Sequence, residues 1–244
     1  MALAWDAAAP NQFTMLTAND AALDLASSAD GSTFAARANG ITEIRSSDFT
    51  LFGAPATAER EAIPGRVNVP GVAVHPTGAL IYQPFLTGAA PAPATGIQGG
   101  VDILDSHSGQ LRLRIFLPEP LAMLSTDIDG LHGGFLAVDE NGQRLFALTT
   151  SGLTIVQLAN VPLGIGTLSP ASGPAAGGTF ITIRGSGFQN GIQGTIGGKA
   201  ATLTFKDMNT LTLVTPSLSA GSQQIVLTNP DGESVSLDAA FLAN

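Results

Sequence analysis

A short unit built around a glycine occurs three times in the first two thirds of the chain, and it restricts the fold more than any other feature of the sequence. The three copies are Leu25–Gly31, Val72–Gly78 and Leu136–Gly142, and each has an alanine five residues before its glycine. The dipeptides Asp30-Gly31 and Asn141-Gly142 tolerate the positive φ angles of a two-residue hairpin turn. Because apolar runs flank each turn, each copy predicts a strand, a tight turn and a second strand.

A second glycine follows in each copy and begins a third apolar run. These second glycines are Gly40, Gly100 and Gly152. The two glycines are 9, 22 and 10 residues apart in the successive copies. The excess of 12 residues in the middle copy is Thr87–Gln98, a segment rich in small and turn-forming residues, which predicts an inserted loop. A weaker fourth run ends the first two units, at Phe49–Phe52 and Leu111–Leu117.

Three to four short strands that recur every ~40 to 50 residues are typical of the blades of a β-propeller. The segment resembles the β-propeller families whose blades contain an Ala-x-x-x-Asp-Gly turn, such as YVTN-type and lactonase-like repeats. We therefore expect residues 1–160 to form about three propeller-like blades. Closed propellers use about four to eight blades, so this array should be incomplete. The prediction is self-association through open propeller edges, in a chain that is a piece of a longer protein.

The remaining residues follow a break in the strand pattern at Ala159–Pro162. The glycine-rich segment Thr167–Phe188, followed by Gly197-Gly198 and by Ile225–Gly232, resembles an IPT/TIG domain. This is the immunoglobulin-like module of plexins, Rel-type factors and many bacterial surface proteins. Short β-rich runs separated by Gly, Pro, Asp and Asn agree with such a β-sandwich over residues 161–244. The expected fold class is all-β: a partial β-propeller-like repeat region followed by an immunoglobulin-like β-sandwich.

Charge argues against nucleic-acid partners. The chain has 10 Lys and Arg against 19 Asp and Glu, a formal net charge of −9, and such a field repels phosphate. Residues 161–244 contain only three basic side chains, Arg184, Lys199 and Lys206, which argues against a Rel-like DNA-binding domain. The absence of cysteine excludes disulfides and thiolate-bound metals.

The location of the protein has to be inferred from the resemblance. Polar residues, Gly or Pro interrupt every apolar stretch before the ~20 residues of a spanning helix, so no membrane insertion is expected. The first ten residues lack the basic and apolar regions of a signal peptide. The resemblance to bacterial surface modules implies an extracellular or cell-surface location.

One loop is a candidate metal site. Asp127 and Asp129 lie two residues apart in a glycine-containing loop, an arrangement that can bring oxygen ligands to Ca²⁺. The loop lacks the third carboxylate and the distal Glu of an EF-hand, so we expect at most weak calcium binding, and a capped turn between blades is the alternative interpretation. No other cofactor and no catalytic residue is predicted.

Other side chains that could have a chemical role are expected to be structural. His75, His107 and His132 lie in separate turns without paired spacing, so they should be solvated. Arg112 and Arg114 alternate with apolar residues and predict a half-solvated strand. Gly178, Gly187 and Pro216 should serve turns and close packing. Trp5 and Tyr82 are the only Trp and Tyr, so there is no aromatic platform for stacking on sugars or bases.

Two functions agree with these features. The favoured one is a non-catalytic binding or structural module of a bacterial secreted or cell-surface protein, with the IPT/TIG domain as a spacer or adhesion unit and a protein or polysaccharide as partner. The alternative is the accessory and partial propeller region of a lactonase-like or quinoprotein-like enzyme. Such an enzyme would place its site in a central channel, which about three blades cannot enclose.

Overall fold

The computed structural model describes residues 2–5, 13–16, 24–38, 41–47, 56–57, 66–68, 71–87, 98–122 and 136–244. Every described residue lies in a strand, a turn or irregular backbone, and no described segment is a helix. The expected all-β fold class is confirmed for this part of the chain. The described segments also contain no helix that is long and apolar enough to cross a membrane.

The first part of the chain forms short antiparallel sheets. Its strands are β1 (Ala2–Trp5), β2 (Phe13–Leu16), β3 (Asp24–Ser27), β4 (Thr33–Ala38), β5 (Ile41–Ser46), β6 (Ala56–Thr57), β7 (Arg66–Asn68), β8 (Ala73–Val74), β9 (Leu80–Thr87), β10 (Gln98–Asp105), β11 (Leu111–Phe116), β12 (Leu136–Val138), β13 (Arg144–Thr149) and β14 (Gly152–Gln157). β1 pairs with β2. The repeated units form three further sheets: sheet 1 (β3-β4-β5-β6), sheet 2 (β11-β10-β9-β7, with β8 beside β9) and sheet 3 (β12-β13-β14).

The three repeat turns have the same geometry. In each turn the glycine donates its backbone N–H to the carbonyl three residues earlier, at 3.1, 2.8 and 3.1 Å for Gly31, Gly78 and Gly142. The φ angles of these glycines are 69°, 76° and 70°, a left-handed conformation that costs glycine little. The turn glycines aligned in the sequence are thus equivalent in the structure. The expected two-residue hairpin turn is wrong, because only the glycine has a positive φ and the flanking backbone hydrogen bonds, such as Ser28 N–H to Thr33 O, enclose four residues.

The repeat sheets stack face to face. Ala26, Ala35 and Ile44 of sheet 1 pack with a cluster on sheet 2 that comprises Val72, Val74, Ile81 and Leu104. The opposite side of sheet 2 packs on sheet 3, where Tyr82 and Ile103 belong to the same core as Leu136, Leu145 and Ala147. We call the side of each sheet that faces the following sheet its front face and the opposite side its back face. Successive side chains of a strand point to opposite faces of its sheet. Because both faces of sheet 2 are covered, nearly every side chain of β9 is buried.

The middle unit differs in detail from the expectation. β9 and β10 stay paired as far as Thr87 and Gln98, so the hairpin strands extend into the ends of the predicted insertion. The other residues of that insertion, 88–97, lie outside the described residues, as does the predicted run Phe49–Phe52. Three stacked sheets agree with a partial array, and the β-propeller assignment stays a prediction.

The C-terminal part is a two-sheet sandwich. Its strands are β15 (Gly164–Ser169), β16 (Ser172–Gly173), β17 (Phe180–Ser186), β18 (Gln193–Ile196), β19 (Lys199–Ala200), β20 (Thr202–Asp207), β21 (Thr210–Val214), β22 (Gly221–Thr228) and β23 (Ser234–Ala243). One sheet has the order β15-β17-β21-β20 and the other β16-β23-β22-β18-β19. Alternate residues of the facing strands, among them Ile181, Leu213 and Ile225, are fully buried in one core. The alternation is the pattern expected for an immunoglobulin-like sandwich.

Candidate functional site

The predicted calcium ligands Asp127 and Asp129 lie outside the described residues, and so does His132. Among the residues that the structure describes, no group of three or more His, Cys, Asp or Glu side chains could bind a metal ion. The candidate site built below therefore rests on other residues. It lies at the junction, which we define as the contact between sheet 2 with its turns and the sandwich.

Arg112 of β11 connects the two regions. Its Nη2 atom donates hydrogen bonds to the carbonyl oxygens of Leu163 at 2.9 Å and Ser234 at 3.0 Å. It also lies 3.5 Å from the carboxylate of Glu233, which accepts the Leu163 backbone N–H at 3.1 Å. One guanidinium nitrogen thus links β11 to the sandwich at two places, next to the start of β15 and at the start of β23.

The expectation of a half-solvated strand is wrong for these arginines. The Arg112 side chain is 16% exposed because the sandwich covers it. Arg114 donates to the carboxylate of Asp102 at 2.7 Å, and its guanidinium lies 5.4 Å from the centre of the Phe85 ring. The sandwich covers Arg112 and sheet 2 itself pairs with Arg114, so both charges are paired and mostly shielded from solvent.

A second set of contacts comes from the turn that contains His75 and Thr77. The Thr77 hydroxyl donates a 2.8 Å hydrogen bond to the Gly185 carbonyl of β17. The hydroxyl oxygen also lies 2.8 Å from Nδ1 of His75, and Nδ1 accepts the backbone N–H of Thr77 at 3.3 Å. A Cβ at Gly166 would overlap the Thr77 carbonyl oxygen, which shows how closely this turn approaches β15.

His75 is fully buried, so the prediction that it is solvated is wrong. Burial lowers its pKa to about 4, because the charged imidazolium loses its hydration. Its Nε2 atom makes no hydrogen bond of good geometry, although the backbone of Asn141 lies close enough to favour the protonated form. The sandwich covers this turn, and a local sequence pattern contains no signal of that contact.

His107 is half-buried and also departs from the expected solvated state. Burial lowers its pKa, while the nearby Asp105 carboxylate and the Ile165 backbone act in the opposite direction. Asp105 itself shapes the turn: its Oδ1 accepts the backbone N–H and the hydroxyl of Ser108, both at 2.8 Å. The carboxylate is thus occupied by structural hydrogen bonds.

A groove of about 600 Å³ lies along the junction. Its walls are a turn and strand of sheet 2 on one side and the start of β23 on the other; the lining residues are Asp105, His107, Ser108, Gln110, Arg112 and Ser234–Asp238. We call it the junction groove. It has both polar and apolar lining and is open to solvent.

One wall of the junction groove is a strand edge. The Ser234 carbonyl points away from β22, since it accepts the hydrogen bond from Arg112. Backbone direction alternates along a strand, so the N–H and C=O of Ser236 point the same way, while the residues between pair with β22. Within the described part of the chain, Ser236 makes no further backbone hydrogen bond beyond the sheet. These two groups are therefore available to a ligand.

The sequence alone did not reveal this site. Arg112, Ser234 and Ser236 have no motif, and they come together only because the sandwich packs against sheet 2. Among the described groove residues the ionisable side chains have structural partners: Asp105 in its turn, His107 with the Ser106 hydroxyl, Arg112 with Glu233, and Asp238 with Gln224. The arrangement supports binding by hydrogen bonds.

Comparisons with known proteins identify the sandwich. Residues 163–242 match the model of the IPT/TIG domain. No curated protein matches the chain.

Among solved structures, an auxiliary nutrient binding protein from Bacteroides ovatus is similar at 22% identity, over 34% of this chain and 21% of that one, with a TM-score of 0.29. A second, from Bacteroides thetaiotaomicron, has 25% identity over 35% of this chain and 21% of that one, with a TM-score of 0.30. SGBP-B from a xyloglucan utilization locus in Bacteroides uniformis has 13% identity, over 65% of this chain and 48% of that one, with a TM-score of 0.30.

The chain spans about a fifth of the length of the first two structures and about half of the third. The assignment of the sandwich rests on the sequence match over residues 163–242 and on its two-sheet architecture. The glycines of the resemblance occupy the expected turns, with φ of 81° at Gly178 and 65° at Gly187. Residues 163–242 of this chain form an IPT/TIG domain.

Proposed function

We propose that the chain is a non-catalytic binding module of a bacterial secreted or cell-surface protein, in which the IPT/TIG domain acts as an adhesion unit fixed to the repeat region. The observation on which this rests is the junction groove, with the backbone of Ser236 available along one wall. The match to an IPT/TIG domain, a module known from bacterial surface proteins, supports the location.

The junction contacts support a fixed arrangement of the two regions. Arg112, Thr77 and Glu233 each make hydrogen bonds across the junction or at its start. Buried polar groups that are paired in this way resist separation, because parting them leaves donors and acceptors without partners. A groove whose two walls come from different regions keeps its shape only if the regions do not move apart.

The chemistry of the groove favours a protein partner. An available N–H and C=O on a strand edge is matched by the backbone of another extended chain, the recognition mode of β-strand addition. Polysaccharide binding usually uses Trp, Tyr or Phe side chains, and the described residues that line the groove include none of these. We therefore assign the groove to an extended peptide segment that adds a strand beside β23.

The experiment uses the whole chain and a displayed library of short peptides. Selected peptides are titrated while the backbone amide signals are followed by NMR. We expect the largest shifts at Ser236 and at its neighbours in β23. Ser236→Pro removes the N–H that faces the groove, and an edge strand tolerates such a change. This variant should lose binding at least tenfold, since a hydrogen bond and the strand geometry are lost together.

Ser236→Ala is the matched control, because it removes the hydroxyl and keeps the backbone N–H. It should bind as the original chain does. Thermal unfolding of both variants checks that the fold is intact. Equal loss of binding in both variants, or shifts elsewhere on the sandwich, would show that the groove does not bind a strand.

A further inference from the structure

The stacked repeat sheets end in an apolar surface. On sheet 3, cross-strand register places Phe146 next to Ile155 and Leu148 next to Leu153, on the side opposite the buried Leu145. This is the front face of sheet 3. Leu153 is 63% exposed and Ile155 58% exposed. Two large neighbouring aliphatic side chains on an edge strand are a typical sign of a contact surface.

The other two repeats show what covers such a face. Tyr82 occupies on sheet 2 the position that Phe146 occupies on sheet 3, four residues after the turn glycine. Tyr82 is fully buried because sheet 3 packs over it, whereas Phe146 is only half-buried. The front face of sheet 1 is likewise covered, by the back face of sheet 2. In both cases, therefore, the back face of the next repeat sheet covers the front face.

The back face of sheet 1 also exposes an apolar side chain. Leu25, Val72 and Leu136 occupy the same position of the repeat. Val72 is 4% exposed and Leu136 is 6% exposed, because the preceding sheet packs over each. Leu25, on sheet 1, is 62% exposed. The chain therefore exposes apolar side chains on one front face and on one back face, at opposite ends of the stack, and by register the half-buried Phe34 and Ala36 share the back face with Leu25.

We infer that two copies of this chain associate head to tail, with the front face of sheet 3 of each copy on the back face of sheet 1 of the other. A two-fold axis makes the two contacts equivalent, as closed dimers require. The pair would form a ring of six repeat sheets, within the range of about four to eight that radial β arrays use. Both exposed faces are then buried. This inference is independent of the junction groove.

Charge opposes the association in a measurable way. Each copy has a formal net charge of −9, so two copies repel each other at low ionic strength. Salt screens this repulsion and leaves apolar contacts intact or stronger. The pair should therefore become tighter as sodium chloride is added, the reverse of an association that depends on ion pairs.

Sedimentation velocity of the full chain over a wide concentration range tests the pair directly. We expect a reversible change from one chain mass to twice that mass. Ile155→Lys alters the front face and Leu25→Glu the back face, and both residues are exposed, so the fold should not suffer. Each variant alone should associate at least tenfold more weakly, since a charge replaces a buried apolar contact. Phe180→Ser is the control, since Phe180 is 70% exposed on the sandwich and lies on neither face.

Mixing the two variants distinguishes head-to-tail contact from other symmetries. In a mixed pair one contact is unaltered, and the other brings the introduced lysine of one chain against the introduced glutamate of its partner. These charges are opposite, so association should return. A front-to-front dimer would instead leave Leu25→Glu unaffected. A chain that stays monomeric, a series of larger masses in place of the pair, or no recovery on mixing would each overturn the inference.

Discussion

The hydroxyl of Thr77 donates a 2.8 Å hydrogen bond to the backbone carbonyl of Gly185, 108 residues further along the chain. Both residues are buried, and they belong to the repeat region and to the IPT/TIG domain respectively. The contact therefore links the folding of one region to the other. It also places the imidazole of His75 next to the same hydroxyl.

Replacing Thr77 by Val keeps the shape of the side chain and removes the hydroxyl. The Gly185 carbonyl and Nδ1 of His75 then lose a partner in the interior, so the free energy of unfolding should fall by about 1 to 3 kcal/mol. Denaturant titration measures the change. Thr182→Val is the matched control, because Thr182 is exposed on β17 and should change stability by less than about 0.5 kcal/mol. Equal effects of the two substitutions would contradict the importance of the junction contact.

His75 should make stability depend on pH. Its pKa is about 4 in the folded protein and 6.5 as the reference value for an unfolded chain. Above pH 6.5 the imidazole is neutral in both the folded and the unfolded state, so the free energy of unfolding does not depend on the titration of His75 there. Between pH 6.5 and about 4 only the unfolded chain takes up the proton, and the free energy of unfolding falls by up to about 3 kcal/mol.

His75→Asn keeps a donor near Thr77 and cannot titrate, so it should show a weaker pH dependence across this range. Denaturant titrations of both proteins at several pH values give the comparison. His107, whose pKa is also lowered, is present in both proteins and cancels. Identical pH profiles of the two proteins would mean that His75 does not stay neutral in the folded state.

Gly187 should be sensitive to any side chain for two reasons. Its φ is 65°, and a Cβ there would overlap the Val161 carbonyl oxygen. Gly232 has a φ of 93° with open space around it, so Gly232→Ala measures the backbone strain alone, about 1 to 2 kcal/mol. Gly187→Ala should lower the melting temperature of the full chain clearly more than Gly232→Ala. A smaller effect at Gly187 would contradict a close approach to Val161.

Local features of the fold could be predicted from the sequence because their causes are local. Gly31 and Gly142 specify their turns through a left-handed backbone conformation that few other residues adopt. Alternating residues such as Ile181 and Ile183 specify one buried face of the sandwich. These signals survive in a single sequence, since they involve residues only a few positions apart.

The junction could not be predicted for the opposite reason. Arg112 donates to the Ser234 carbonyl across 122 residues of sequence, and neither residue has a neighbour that indicates the contact. His75 resembles a solvated turn residue, but the turn of sheet 3 packs against its ring, where a Cβ at Gly142 would overlap Nε2, and the sandwich packs against the neighbouring Thr77. Burial of this kind depends on how separately folded segments pack together, and the residue spacing within one segment does not indicate that packing.

The calcium prediction for Asp127 and Asp129 can be tested without structural detail. Isothermal titration of the full chain with calcium chloride should give heat only in the millimolar range, as in weak extracellular sites. Asp129→Ala should abolish that heat, and Asp238→Ala, which alters an exposed carboxylate of the sandwich, should not. Micromolar affinity would show a far better formed site than two carboxylates predict.

Arg112 gives the sharpest test of whether the two regions act as one body. Its guanidinium makes two charge-assisted hydrogen bonds to backbone carbonyls at the junction, each worth about 1.5 to 3 kcal/mol. With these bonds in place, differential scanning calorimetry of the chain should show one unfolding transition that includes both regions. Arg112→Ala removes the bonds and should separate the transition into two, with the IPT/TIG domain unfolding independently.

Arg144→Ala is the control, because Arg144 is exposed and its side chain hydrogen-bonds only to Gln157 of the neighbouring strand among the residues described. Two transitions in the original chain would show that the regions are not coupled, and the junction groove would then have no fixed shape with which to recognise a partner.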